Sequence, residues 1–346
     1  MSRPKRVTIA DIAREAGVSP GAVSFALNGR PGVSEGTRQR ILAVADQHQW
    51  RPSSTARALV GAKAGVIGFA VNRPARTLGT EAFFTELIAG VQSSLAARRI
   101  GLQLVVVPTI DEEIATYKRW SSANQVDAVI VLDPRDDDPR LVALRELRLP
   151  AVVIGSRRPV DEADDNTAVV WLDDDDAAHT VFDYLAGLGH RKVFYVSGPA
   201  EFQHTRIRAA VLAGQEARGV AGETIATDFS PAQAAATARR LLSRAERPTA
   251  IVFDNDVMCI AGLRVAQEMR IAVPDELSLA SFDDSVVTGL VHPSITSLTR
   301  DTFELGVRSA DLLLERLDSP DAPRDRQGPR PTLTVRESTA PPRAGR

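Results

Sequence analysis

Four consecutive aspartates, Asp173 to Asp176, and five histidines, His48, His179, His190, His204 and His292, are the residues of this 346-residue chain whose types suit metal binding or proton transfer. The histidines show no metal-ligand spacing, and His190 beside Gly189 reads as a turn ahead of a strand. Aspartates placed where a helix begins are stabilised by the positive end of its dipole, which accounts for Asp175 and Asp176 without catalysis. No Gly-x-Ser-x-Gly elbow, phosphate loop or Gly-x-Gly-x-x-Gly turn occurs. Cys259, the single cysteine, has no partner for an internal disulfide and lies in an apolar helical stretch, so it reads as a buried thiol. The chain therefore does not read as an enzyme and calls for no cofactor or metal.

Charge points elsewhere. The formal net charge of −2 conceals ten Lys or Arg against four Asp or Glu in residues 1–63, a balance of +6, and −8 over the remainder. A basic head on an acidic body is the asymmetry of a chain that meets a polyanion at one end. Hydrophobic residues at 44% and charged residues at 25% match a folded globular protein. Apolar runs stay well under the roughly 20 residues of a membrane helix. The polar opening Met1-Ser2-Arg3-Pro4-Lys5-Arg6 lacks the apolar core of a secretory signal, so a cytoplasmic protein is expected.

The basic segment reads as three short helices over residues 8–49. Thr8 can cap the first, and Ile9, Ile12, Ala13 and Ala16 fall on one face. Gly17-Val18-Ser19 supplies a left-handed turn, a core plug and a cap for the next helix. Pro20 suits the first helical position, Val23, Ala26 and Leu27 form the second stripe, and Ser34 caps a third helix with Ile41, Leu42 and Ala45 inside. Two short helices joined by a glycine turn and packed on a third make a helix-turn-helix. The alternative, a three-helix bundle with no DNA role, leaves the +6 charge unexplained.

From residue 65 the chain alternates β and α. Strands are expected at 66–71, 102–107, 128–132, 151–154, 193–196, 250–253 and 277–281, separated by amphipathic helices, with a last short strand at 332–335. Such alternation implies right-handed crossovers and parallel sheets, and the length favours two lobes split near residues 158–172. The expected organisation is a head at 1–52, a hinge helix and linker at 53–64, an α/β two-lobed body at 65–340 and a disordered tail at 341–346.

The segments Val7-Thr8-Ile9-Ala10-Asp11-Ile12-Ala13, Ala16-Gly17-Val18-Ser19, Leu27-Asn28-Gly29, Arg51-Pro52 and Ala56-Arg57-Ala58-Leu59 resemble the LacI family of bacterial transcription regulators. Leu188-Gly189-His190-Arg191-Lys192-Val193, Ser281-Phe282-Asp283-Asp284 and Val335-Arg336-Glu337-Ser338 extend the resemblance, in order, over nearly the whole chain. It implies a homodimeric repressor of a palindromic operator. Each head would lay its second helix in a major groove, and the paired hinges, with Ala56 and Arg57, would wedge Leu59 into the minor groove, opening a base step to bend the duplex. The family's base readers map onto Pro20, Gly21 and Phe25, none of which can bond a base edge bidentately, so readout would rest on thymine methyls, close approach and DNA shape. The alternative for Phe25 is packing on the bundle. Thr8, Ser19, Ser24, Asn28, Ser34, Thr37 and Arg38 suit phosphate contacts.

The body resembles periplasmic sugar-binding proteins, which implies a small effector, of the sugar class, bound between the lobes. In parallel sheets ligands bind beyond the carboxyl ends of strands. Arg208, Asn255 and Asp283 fall there and together can hold vicinal hydroxyls. Asp173 is expected to face the same cleft. The arginine is followed by Val211-Leu212 where family members carry Gly-aromatic, so Phe83 or Phe282, with Phe84 and Trp171, are the aromatic residues available as a stacking wall; for each the alternative is the core. A free solute-binding protein is the rival reading, and the basic head argues against it.

Overall fold

Residues 7–27, 31–48, 50, 63–156 and 166–343 are described by a computed structural model, and the chain divides into two units, residues 1–63 and 64–346. In the first unit α1 (Ile9–Ala16), α2 (Pro20–Leu27) and α3 (Glu35–Gln47) form a small bundle. Thr8 closes a reciprocal capping box with Asp11: the Asp11 N–H donates to Thr8 Oγ1 and the Thr8 N–H to Asp11 Oδ2. Gly17 takes the left-handed turn at φ 67° that its lack of a Cβ allows. Ile12, Ala13, Ala16, Val23, Ala26, Ile41 and Ala45 are buried together, and Val44 packs against them. Leu42, expected inside, faces outward because the stripe of α3 runs through Ile41, Val44 and Ala45 at helical spacing. The expected hinge falls almost entirely on residues 51–62, outside the described residues.

The second unit holds two six-stranded sheets. The first runs β11-β5-β4-β3-β1-β2, all parallel, from β1 (Val66–Asn72), β2 (Gly101–Val107), β3 (Ala128–Leu132), β4 (Ala151–Ser156), β5 (Thr167–Leu172) and β11 (Asp325–Gln327). The second runs β12-β10-β9-β8-β6-β7, from β6 (Lys192–Ser197), β7 (Ala221–Ala226), β8 (Ala250–Phe253), β9 (Ser278–Ser281), β10 (Thr296–Thr299) and β12 (Thr332–Thr334). It is parallel except for β12, which pairs antiparallel with β10. The central strands are apolar on both faces, as strands covered by helices on both sides must be.

The lobes do not divide at 158–172. Thr167–Leu172 is β5 of the first sheet, so the chain leaves the first lobe at residue 173, returns after β10 with the helix Thr302–Asp318 and β11, and crosses again to β12. β5, β7, β10 and β11 are not among the expected strands: β5 falls in the segment assigned to the lobe boundary, β7 is exposed and polar, and β10 (Thr-Ser-Leu-Thr) and β11 (Asp-Arg-Gln) carry no apolar run. Residues 341–343 are not a free tail, since Arg343 pairs with Asp275 at 2.7 Å; Ala340 exchanges hydrogen bonds with Ser278 and accepts one from His190 at 3.1 Å.

The returning helix is fixed to the first lobe by backbone contact. A Cβ on Gly90, in the helix Ala82–Ala97, would lie 1.9 Å from the Phe303 carbonyl oxygen, and one on Gly306 would lie 2.3 Å from that of Leu87. Two helix backbones cannot yield as a flexible side chain does. Gly90→Ala is therefore expected to lower the stability of the body by about 2 kcal/mol or more through overpacking, read as a lower urea midpoint; an unchanged midpoint would mean that the helices separate freely.

Candidate functional site

Two surfaces bring the sequence-derived residues together. On the head, Pro20, Gly21 and Phe25 are exposed along α2, and Phe25 is 42% accessible and absent from the buried core. Its ring lies beside Gly32, where a Cβ would approach to 3.2 Å. Ser19 caps α2 by accepting from Ala22 N at 3.2 Å, and Ser34 caps α3 by accepting from Thr37 N. Arg38 donates to the Ala26 carbonyl at 3.2 Å and Arg40 to the Ala16 carbonyl at 3.1 Å, so α3 uses its cations to hold the carbonyl ends of the other two helices. Ser24 and Thr37 are partly buried. Asn28, Ala56, Arg57 and Leu59 lie outside the described residues.

The second surface is the cleft of the body, a small cavity of about 70 Å³ built where parallel strands end. Arg73 follows β1, Asp133 follows β3, Asp254 and Asn255 follow β8, Asp283 follows β9 and Arg300 follows β10. Glu81 and Phe83 come from the start of the helix Ala82–Ala97, and His204 and Arg208 from the helix Gln203–Gly214. Backbone closes one flank: Gln203 N donates to the Pro134 carbonyl at 3.0 Å and its side chain to that of Arg135 at 3.1 Å.

Arg208 is the centre. Its guanidinium donates to Asp254 Oδ1 at 2.6 Å and to Asp174 Oδ1 at 2.9 Å, and lies 4.4 Å from the centroid of the Phe282 ring. Asp254 also accepts from the Tyr195 hydroxyl at 2.5 Å and from Gly198 N at 2.7 Å. Burial pushes both carboxyls up, but Arg208 and the hydrogen bonds hold them below the ordinary carboxylate range, so they stay ionised. Across the cleft Arg73 donates to Asp133 at 2.7 Å and lies 4.2 and 4.6 Å from the Phe229 and Phe202 rings. Burial drives the His204 imidazole down, and Arg208 drives it further, so it is neutral at pH 7.

Two carboxyls behave differently. Burial lifts Glu81 to about 8 against the opposing charge of Arg73, and lifts Asp283 to about 7 against Arg208. Glu81 Oε1 and Asn255 Nδ2 are buried without a hydrogen-bond partner, although Asn255 Oδ1 caps its helix by accepting from Met258 N at 2.8 Å. Such orphaned groups are expensive to bury, and here they leave hydrogen-bonding capacity turned on the cleft.

Phe83, Arg208, Asn255 and Asp283 line this cavity; Asp173 and Phe282 do not. Asp173 is exposed and caps its helix by accepting from Asp176 N at 3.1 Å, while the next residue, Asp174, turns inward to Arg208. Phe282 is buried against Phe182 and Tyr195 and supports Arg208 from beneath. Residues that sequence reasoning missed include Arg73, Glu81, Asp133, Asp174, His204, Phe229 and Arg300. Arg73 and Asp133 directly follow strands that were expected, so the strand-end rule reaches them; Phe229 and Arg300 follow β7 and β10, which were not.

Residues 8–53 match the family described as bacterial regulatory proteins, lacI family, and residues 182–339 the periplasmic binding protein-like domain. A LacI family transcriptional regulator from Bifidobacterium animalis subsp. lactis is 30% identical in sequence, with a TM-score of 0.71 over 80% of this chain and 98% of that one. The HTH-type transcriptional regulator CelR of Thermobifida fusca is 29% identical over 92% of this chain and 94% of its own length. A transcriptional regulator CelR–cellobiose complex has a TM-score of 0.71 and 26% identity over 96% of this chain and all of that one. The chain belongs to the LacI family of bacterial regulatory proteins. It is a helix-turn-helix DNA-binding transcriptional regulator, and its relatives are named as regulators rather than enzymes. Among the described residues no helix is long and apolar enough to cross a membrane.

Glu81 gives a test in the free protein. Its folded carboxyl keeps its proton to about pH 8, whereas the unfolded one releases it near 4.5, so the native state binds more protons between these values and stability falls as pH rises through them. Glu81→Gln has no such proton to lose. Its Tm advantage over the native chain is expected to grow from pH 5 to pH 8, and a difference constant with pH would mean that Glu81 ionises normally.

Proposed function

We propose that the protein is a homodimeric, cytoplasmic repressor of a palindromic operator, and that a polyhydroxylated effector of the sugar class binds in the body's cleft and changes operator affinity. The observation that carries the effector reading is the cleft itself. Strand ends converge there with buried, unpartnered polar atoms on Glu81, Arg208 and Asn255, beside the carboxyl of Asp283. Hydroxyl groups both donate and accept, and satisfy such a mixed lining at adjacent positions. Phe83 gives the ring a wall on which to stack. The relative solved with cellobiose supports the same class.

On DNA, the exposure of Pro20, Gly21 and Phe25 along α2 supports these as the residues entering the major groove. The phosphate contacts are assigned to Thr8, Ser19, Ser24, Asn28, Ser34, Thr37 and Arg38 by their chemistry in the sequence, and to Thr8, Ser19 and Ser34 also by their place at helix starts. Ala56, Arg57 and Leu59 complete the reading as hinge contacts in the minor groove. The second copy is supported by apolar surface: Val286 and Leu290, on one short helix, are each 77% exposed, beside Val287 at 49%. Adjacent exposed apolar side chains of this size mark an interface, and a twofold dimer matches two half-sites one helical turn apart.

A thermal-shift panel of sugars followed by operator titration tests the effector. A sugar that raises Tm must alter operator affinity, and operator must alter sugar affinity by the same factor. Asp283→Asn is expected to bind operator like the native chain and lose the sugar response; operator binding indifferent to a bound sugar sinks the proposal. Leu290→Glu is expected to shift sedimentation toward monomer and to weaken a palindromic operator more than a single half-site. If the variant stays dimeric, this patch is not the interface.

A further inference from the structure

Recognition of a neutral polyol leaves the guanidinium of Arg300 unexplained. Arg300 follows β10 and lines the cleft, and its Nε and Nη2 are both buried without a hydrogen-bond partner. These two nitrogens share one edge of the planar group, and their N–H bonds run parallel, the fork that receives the two oxygens of a carboxylate. The other guanidiniums of the cleft already have hydrogen-bonded counter-ions: Asp133 for Arg73, Asp174 and Asp254 for Arg208. Asp174 and Asp283 act on Arg300 through space only, and burial pulls its pKa down. Asp283 is a poor counter-ion near neutrality, because its own carboxyl titrates at about 7.

The other orphaned atoms of the described residues that line the cleft lean the same way. Arg73 Nε, Arg208 Nε and Asn255 Nδ2 are buried donors without partners, against one orphaned carboxyl oxygen, that of Glu81. A hydroxyl that accepts from such a donor brings its own proton to be placed. A carboxylate brings about four acceptor sites and no proton. The lining also carries the positive ends of helices that begin at the cleft, among them the one capped by Asn255, and these favour a negative group. A doubly charged phosphate ester suits the site less well. One cation lacks a hydrogen-bonded counter-ion, and the ionised carboxyls of Asp174 and Asp254 oppose a second negative charge.

We propose that the effector is an acidic sugar, a uronic or aldonic acid, whose carboxylate sits on the Nε–Nη2 fork of Arg300, making Arg300 the residue that selects the acid over its neutral parent. This rests on the reading of the cleft as the effector site. The hydroxyls of the same ligand then fall to Asp283, Arg208 and Asn255.

The experiment is calorimetry on the full chain with galacturonate, glucuronate and gluconate, set against galactose, glucose and their 6-phosphates, on the native protein, Arg300→Gln and Arg300→Lys. At least one acid is expected to bind about 10- to 100-fold more tightly than its neutral parent, the worth of a charge-assisted bidentate pair. Arg300→Gln should abolish that advantage, and Arg300→Lys, which keeps the charge but not the fork, should restore only part of it. Without ligand, Arg300→Gln should melt no lower than the native chain, because the guanidinium it removes has its fork unpaired. A neutral sugar that binds as tightly as its acid, or a phosphate that binds where the acids do not, overturns the proposal and leaves the cleft as the effector site. Silence from every acid overturns it too; silence from the neutral sugars and phosphates as well would take the effector reading down with it.

Discussion

A single buried guanidinium organises the body. Arg208 stands between Asp174, at the point where the chain leaves the first lobe, and Asp254, at the end of a central strand of the second. Burying three charges is costly, and the arrangement is tolerable only because the remaining valences of Asp254 are filled by Tyr195 and Gly198 and the guanidinium rests on Phe282. Removing the arginine would strand two carboxylates out of water. The crossing between lobes and the floor of the cleft are thus one construction, and a ligand touching Arg208 touches the joint as well as the pocket.

The opposite wall follows the same rule with different parts. Arg73 is held by Asp133 and by two aromatic rings of the second lobe, so the lobes meet through a cation on an apolar face as well as through the backbone of the 133–136 loop. Glu81 and Asp283 are the members left without a hydrogen-bonded cation, and they are the two whose carboxyls burial lifts toward neutrality. The cleft keeps ionised those acids that carry structure and leaves protonatable those that face the space between the lobes.

Much of this was legible in the sequence, for identifiable reasons. The head could be read almost residue by residue, since Thr8, Gly17, Pro20 and Ser34 act through local backbone chemistry and their neighbours cannot override them. The strands of the body were visible where apolar runs are long, as at Ala128–Leu132, and invisible where pairing alone makes the strand, as at Thr296–Thr299. The site inherited that unevenness: Asn255 and Asp283 follow visible strands and were found, whereas Arg300 follows an invisible one. Asp173 shows another limit. A run of four aspartates does not declare which member turns inward, and the helix register chose Asp174.

The contact of Gly90 with the helix Thr302–Asp318 ties the amino-terminal lobe to residues made more than 200 positions later. During synthesis the first lobe therefore emerges without one of its covering helices and without β11, and its β5 edge stays open until residue 327 leaves the ribosome. The second lobe is spelled out almost wholly inside that interval, up to β10, lacking only β12. Each lobe therefore waits on the carboxyl-terminal segment, the first for the helix Thr302–Asp318 and β11 and the second, a few residues later, for β12, so vectorial synthesis closes the two sheets in quick succession.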